Sequence, residues 1–335
     1  MQTFNKQSFN AAGFFMLAIR LVVGWTYFSA FWRRLVLENK LIETEAGYIG
    51  AKFNHFLPNA LGIKPLIEYL VTHPDALWWS MVIFTIVEAI VGLFIMLGLF
   101  TRLMSVGVFF LAMGILLGSG WIGTTCLDEW QIGVLGVATG FILFFAGGGY
   151  GSLDYYLSKK GYGFTHKKWF AWIGSGELPL KQIKPIVFVG SFAILLLTLY
   201  TNQVFHGGVF GTLHNKSVKP KLEVTEAAWT NKNLYFNVYR VEGADVYGSF
   251  LIGVQLETAS GEIIQKWDGT ALSKVEDQAI DNAYVAKVKA GKHSMVIPLG
   301  AKARLTLPTE ELKPTEKVVL RLIDISGLEW TAEVK

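Results

Sequence analysis

The sequence predicts a membrane α-helical bundle of four helices, with a fifth helix tethering a small extracytoplasmic all-β sandwich. Three observations carry that reading. The chain of 335 residues is 52% hydrophobic and only 17% charged, with mean hydropathy +0.40, a balance rarely met in a soluble protein of this length. Its apolar runs approach the ~20 residues that a helix needs to cross the hydrocarbon core. Beyond about residue 206 the composition turns polar, with apolar residues at alternate positions, as half-buried strands require.

Four runs come first, at Ala11–Trp32, Leu77–Phe100, Leu103–Gly118 and Trp130–Gly149, and the fifth spans Pro185–Thr201. Gly133, Gly136 and Gly140 recur through the fourth and would let a neighbouring helix approach closely. The link from the fourth run to the fifth carries Lys159, Lys160, Lys167, Lys168, Lys181 and Lys184, whereas the link from the third to the fourth has no Lys or Arg. Positive charge marks the cytoplasmic side. The N-terminus is then cytoplasmic, and the Arg33–Ala76 loop, the loop around Cys126 and everything after the fifth run face outward.

The expected organisation is a four-helix transmembrane domain over 1–160, a basic cytoplasmic linker over 161–184, a fifth transmembrane helix over 185–205 and an extracytoplasmic β-rich domain over 206–335. Leu234–Arg240, Ser249–Leu256 and Val318–Asp324 have strand composition and are bounded by Gly, Asp and Pro. Short, closely spaced strands of this kind favour a sandwich.

Composition also excludes function classes. A net charge of +4 is too small to suggest nucleic acid. One cysteine rules out an internal disulfide, a cysteine-rich zinc site and an iron–sulfur cluster held by this chain alone. No CxxCH motif for covalent haem occurs, no flavin motif is visible, and Met1–Asn10 does not lead into a cleavable signal.

The residues that carry candidate chemistry are charges where charge is costly. Arg20 lies inside the first run and Glu88 inside the second, where an isolated charge costs about 2.5–3.5 kcal/mol or more. Counted from their cytoplasmic ends they reach similar depths, so an Arg20–Glu88 ion pair is expected, either fixing helix register or handling a proton or a bound quinone carbonyl. Arg33 and Arg34 follow the first run on the outward side. They either snorkel to the headgroups or form an electropositive mouth for an oxyanion, which planar guanidinium groups bind in a forked geometry. His55 and His73 share that outer loop, and Arg102 sits in the short inner turn, where it would snorkel and orient the hairpin.

Gly120–Gln131 reads Gly-Trp-Ile-Gly-Thr-Thr-Cys-Leu-Asp-Glu-Trp-Gln. Cys126 is a small buried hydrophobe or, on an oxidising outer face, a thiol for sulfur chemistry. Asp128 and Glu129 would raise its pKa, and Arg33 and Arg34 would compensate; alternatively the carboxylates take protons themselves. Trp121 and Trp130 are interface anchors or a wall against a quinone ring.

Three segments, Arg20-Leu-Val-Val-Gly-Trp25, Glu88 with Gly92-Leu-Phe-Ile-Met-Leu-Gly-Leu-Phe-Thr-Arg102, and Gly123-Thr-Thr-Cys-Leu-Asp-Glu-Trp130, resemble the DoxD membrane subunit of thiosulfate:quinone oxidoreductase, within the DoxX-like four-helix group. From Phe205-His-Gly-Gly-Val-Phe-Gly-Thr-Leu-His-Asn215 onward the chain is similar to the partner subunit DoxA. The resemblance implies oxidation of thiosulfate to tetrathionate outside the membrane, with membrane quinone as electron acceptor; it carries over no catalytic residue, and the residues themselves nominate Cys126, Asp128, Glu129 and Glu88 for catalysis. Arg33, Arg34, Arg20 and Trp121 would bind substrates. Two other expectations stay open: an envelope scaffold whose β domain binds a protein partner, and a quinone-linked oxidant of other small sulfur compounds.

Overall fold

The computed structural model describes residues 2–45, 47–123, 128–230, 232–244, 249–310 and 317–335. Its helices are α1 (Gln2–Phe15), α2 (Leu17–Phe31) with a π-helical turn at Trp32–Leu37, α3 (Ile49–Phe56), α4 (Lys64–Thr72), α5 (Pro74–Leu97), α6 (Thr101–Ser119), α7 (Asp128–Ala146), α8 (Leu153–Lys159), α9 (Lys168–Ile173) and α10 (Leu180–His206). By length and composition α5, α6, α10 and the Glu129–Ala146 part of α7 can each cross a membrane. The first predicted run breaks at Met16 into two helices bent by 51°, which pass the same test only together. Gly13 lies at that break with its backbone against Gly147–Gly149, where any side chain would collide. The bend lets α1 dock there, and Tyr150 N donates to Asn10 O at 3.3 Å.

Two compact units divide the chain. The first holds α1, α2, most of α5, and α6 to α10. Its helices approach through small residues, as the sequence predicts. A Cβ on Gly92 of α5 would lie 2.5 Å from the Phe28 amide of α2, and one on Gly140 of α7 would lie 2.6 Å from the Phe109 amide of α6. Tyr27, Val91, Ile95, Val108, Leu111 and Leu143 form the buried centre of this unit. By contrast α10 keeps Phe188, Val189 and Leu196 exposed, an apolar surface suited to lipid.

The second unit is the β domain together with Ile49–Leu77 and residues 121–123. Strands β1 (Lys221–Thr230), β2 (Asn233–Glu242), β3 (Ser249–Thr258), β4 (Ile263–Asp268), β5 (Ile280–Asn282), β6 (Lys289–Ala290), β7 (Met295–Ile297), β8 (Lys302–Pro308), β9 (Val318–Asp324) and β10 (Glu329–Glu333) form two antiparallel sheets. One runs β1-β2-β8-β5; the other runs β10-β9-β3-β7-β6, with β4 also paired to β3. The three predicted strand segments are β2, β3 and β9. Alternate residues of β2 and β9, among them Leu234, Phe236, Val238, Leu320 and Leu322, fill the core between the sheets.

The helical segment α3–α4 has no counterpart in the expected division at residue 160. It lies in the middle of the helical part of the sequence, yet it packs on the β domain. Leu57, Ile67 and Val71 share a buried cluster with Tyr284, flanked by Phe53, Phe56, Ile63, Tyr239 and Val285.

Candidate functional site

In the first unit the expected Arg20–Glu88 pair does not form. Glu88, 3% exposed, instead pairs with Arg34 Nη1. The break at Met16 explains the difference. It moves the start of α2 to Leu17, so Arg20 occupies the first helical turn, whereas Glu88 is nine residues from the end of α5 at Leu97. At ~1.5 Å per residue the two lie at different levels. Side chains tilt toward the N-terminus of their helix, so Arg34, beyond the end of α2, reaches back to the carboxylate. Its guanidinium also lies 5.8 Å from the Phe84 ring centre. The adjacent Arg33 points elsewhere: it is exposed, and its Nε donates to Ser29 O at 3.3 Å.

Around the pair are two further hydroxyl groups. Tyr27 is buried, lies within electrostatic reach of Glu88, and donates to Val108 O over a long 3.5 Å. Thr85, one turn from Glu88 on α5, buries its Oγ1 with no hydrogen-bond partner among the described residues. Tyr27 also lines a groove of about 530 Å³ between α2 and α7. Val22, Val23, Ile132 and Leu135 make its walls apolar, Thr26 and Thr139 add hydroxyl groups, and Gly136 keeps the space beside the Tyr27 hydroxyl free of a side chain. The groove therefore combines an apolar slot with a phenolic donor backed by an ion pair.

Arg20 and Arg102 belong to a separate polar knot at the α5–α6 turn. Arg20 donates to Gly148 O at 2.6 Å and to Gly151 O. Arg102 donates to Phe144 O at 2.8 Å and to Ala171 O. Both guanidinium groups are fully buried, and both feel the charge of Asp154. Asp154 in turn accepts from Phe100 N at 2.8 Å, Thr101 N at 2.9 Å, Thr101 Oγ1 at 2.8 Å and Ser175 Oγ at 2.7 Å. It caps the N-terminus of α6, where a carboxylate is favoured by the helix dipole. Arg20 is thus committed to backbone carbonyls rather than to a substrate; Arg102 does not snorkel as expected, being 0% exposed, while the orienting role expected of it fits this lock. Sequence reasoning passed over Asp154. Its signal is Ser152 two residues earlier, a helix N-cap whose side chain accepts from Tyr155 N.

The Gly120–Gln131 stretch is shorter as a loop than its composition suggests. Gly120 caps the C-terminus of α6, and Asp128 opens α7. Asp128, Glu129 and Trp130 therefore occupy the first turn of a helix, where acidic residues complement the dipole. Cys126 lies outside the described residues, as does the side chain of Asp128. Trp121, 0% exposed, is not the interface anchor that was one of its two expected roles. It is fully buried in the second unit and donates from Nε1 to Phe56 O at 3.2 Å. Trp130 donates to Thr201 Oγ1 of α10 at 3.0 Å.

His206, the last residue of α10, was not anticipated as a site residue. Its Nε2 lies 3.0 Å from Gly120 O. A carbonyl oxygen only accepts, so Nε2 carries the hydrogen. In the neutral ring Nδ1 is then a bare acceptor, buried and without a hydrogen-bond partner among the described residues. Of the two histidines between α2 and α5, His55 is buried in α3 and His73 caps α4, stacking on Tyr69 at 4.2 Å.

Fold and site together define a membrane-type helical bundle, with an ion pair buried inside it, that carries an antiparallel β-sandwich on the same chain. Residues 15–181 match the family described as TQO small subunit DoxD, and residues 205–333 match TQO small subunit DoxA. The chain belongs to these two families as a DoxD–DoxA fusion.

Proposed function

We propose that this protein is a thiosulfate:quinone oxidoreductase that joins two thiosulfates into tetrathionate at the outer face of the cell membrane and passes the electrons to membrane quinone. The observation that carries the reading is the presence of both TQO small-subunit families on one chain. Two thiosulfates lose one electron each as a sulfur–sulfur bond forms, and quinone takes the two electrons with two protons to become quinol.

In this reading the Cys126 thiolate and one thiosulfate form a Cys–S–S–SO₃⁻ adduct, releasing two electrons to quinone. A second thiosulfate then attacks the adduct, leaves as tetrathionate and restores the thiolate. Arg33 attracts the dianion, since Arg34 has its charge committed to Glu88. Asp128 and Glu129 gate the approach electrostatically. The quinone ring enters the α2–α7 groove from the lipid side, with the Tyr27 hydroxyl donating to a quinone carbonyl and the Glu88 carboxylate relaying to it protons taken up from water.

The test is reduction of decylubiquinone or menadione by purified protein in detergent. Reduction that depends on thiosulfate is expected, and its absence with both quinones overturns the reading. Tyr27→Phe is expected to lower kcat by about 10²-fold with an unchanged KM for thiosulfate, the usual size of a lost proton-transfer contribution. Cys126→Ser is expected to abolish turnover; full activity in that variant removes the covalent adduct while leaving the quinone chemistry standing.

A further inference from the structure

The lysine-rich link ahead of α10 is folded against the bundle. Phe170 of α9 is buried, with the rings of Phe100 and Phe164 centred 6.4 Å and 5.5 Å away. Arg102 holds the same turn, donating from its backbone N to Gly174 O at 3.4 Å and from its side chain to Ala171 O. With that side fixed, Trp169 and Trp172 of α9 are exposed, and Tyr162, Phe164 and Trp169 stack in a row at 6.1 Å and 6.2 Å. Exposed tryptophan and tyrosine at the end of a membrane-length helix mark the lipid–water boundary.

At this level the first turns of α10 border two grooves. One, of about 570 Å³, is lined by Phe9 and Ala12 of α1 together with Leu178, Leu180 and Ile183. The other, of about 340 Å³, follows α10 from Leu180 past Lys184 to Phe192. Leu180 and Ile183 line both, so the grooves meet at one point of the helix. Lys181 stands one turn before Lys184 on the same helix. Charge here is one-sided. Lys159, Lys160, Lys167, Lys168, Lys181 and Lys184 are all exposed, and among the described residues none of them is in an ion pair. The acidic residues between positions 150 and 190 are Asp154, committed to the α6 cap, and Glu177, which lines the first groove.

We propose that the start of α10 is a binding site for one anionic phospholipid, its headgroup phosphate between Lys181 and Lys184 and one acyl chain in each groove. Two apolar grooves that meet beside paired lysines match a two-chain amphiphile with a negative head. The site is continuous with lipid, since α10 is the least buried of the membrane-length helices. A quinone has one tail and no charge, so it matches neither the fork nor the lysines. A second copy of this chain would bring the same lysines and be repelled.

The test is native mass spectrometry of the full chain, delipidated in detergent and then offered phosphatidylglycerol, phosphatidylcholine or decylubiquinone. One phosphatidylglycerol is expected to bind in preference to phosphatidylcholine, and Lys181→Ala combined with Lys184→Ala should weaken it about tenfold or more, the surface attraction of two lysines. Leu180→Trp narrows the junction of the grooves, leaves both lysines in place, and should weaken binding as well. All variants change exposed side chains and are compared first for monodisperse elution. Lys159→Ala with Lys160→Ala is the control for diffuse charge and should leave binding within twofold of wild type. Equal binding of the two phospholipids overturns the proposal, as does an equal loss in both lysine pairs, because general surface charge would then be the attraction. Unchanged binding in Leu180→Trp, or displacement of phosphatidylglycerol by decylubiquinone, overturns it too.

Discussion

Replacing Arg34 with Met is expected to destabilise the protein by about 3 kcal/mol, the low end of the range for breaking a buried ion pair, because it leaves Glu88 as an uncompensated buried charge. The low end is chosen because the Arg34 side chain keeps 24% of its surface exposed, against 3% for Glu88. Adding Glu88→Gln to the same chain should restore most of the loss, since the double variant buries a neutral amide in place of a stranded carboxylate. Thermal unfolding in detergent, followed by tryptophan fluorescence, measures both variants. An Arg34→Met protein that unfolds at the wild-type temperature contradicts the pairing. The same double variant separates structure from chemistry. A refolded but inactive protein assigns Glu88 to the proton path of the proposed reaction, and an active one confines the pair to holding α5 against the end of α2.

A larger loss, about 4 kcal/mol or more, is expected from Asp154→Ala, which removes a buried charge bonded to several donors. The substitution strands the Phe100 and Thr101 amides at the start of α6, the hydroxyls of Thr101 and Ser175, and the local compensation for Arg20 and Arg102. Asp154→Asn keeps an acceptor for part of this set and should fall between Ala and wild type. The readout is the yield of monodisperse protein together with its unfolding temperature. Equal stability of the Ala variant and the wild type would mean that the cap is not formed. Neither substitution touches the β domain, so near-ultraviolet circular dichroism of that unit is a control for local effects.

These two clusters also mark where sequence reasoning stopped. Glu88 and Arg20 stand out in the sequence because charge inside an apolar run is costly, and Arg34 because it directly follows one; all three are buried or paired. Their partners were not legible. Depth counting assumed a straight first helix, and the bend at Met16 depends on Gly13 meeting Gly149, a contact 136 residues away along the chain. Asp154 was overlooked for a related reason. A short acidic residue after a Gly-rich turn reads as solvated until α6 and the 171–175 segment are brought to it. His206 carried a weaker signal still, since nothing local specifies that its Nε2 meets the end of α6.

What the sequence by itself determined is what depends on short-range patterning: apolar runs long enough to span a membrane, a switch to period-two strands after residue 206, close helix contacts at Gly133, Gly136 and Gly140, and the motifs that resemble DoxD and DoxA. Tertiary structure alone decided which charges meet, where the slot beside Tyr27 opens, and that α3–α4 packs on the β domain rather than standing as an outer loop of the bundle. The physical reason is that periodicity records which face of an element is apolar, whereas the partner of a buried polar group is set by bends and close approaches between distant segments. Asn54 is the clearest case. Nothing around it in the sequence points to Gly300, yet the left-handed turn there leaves room for its backbone and presents a carbonyl to its amide.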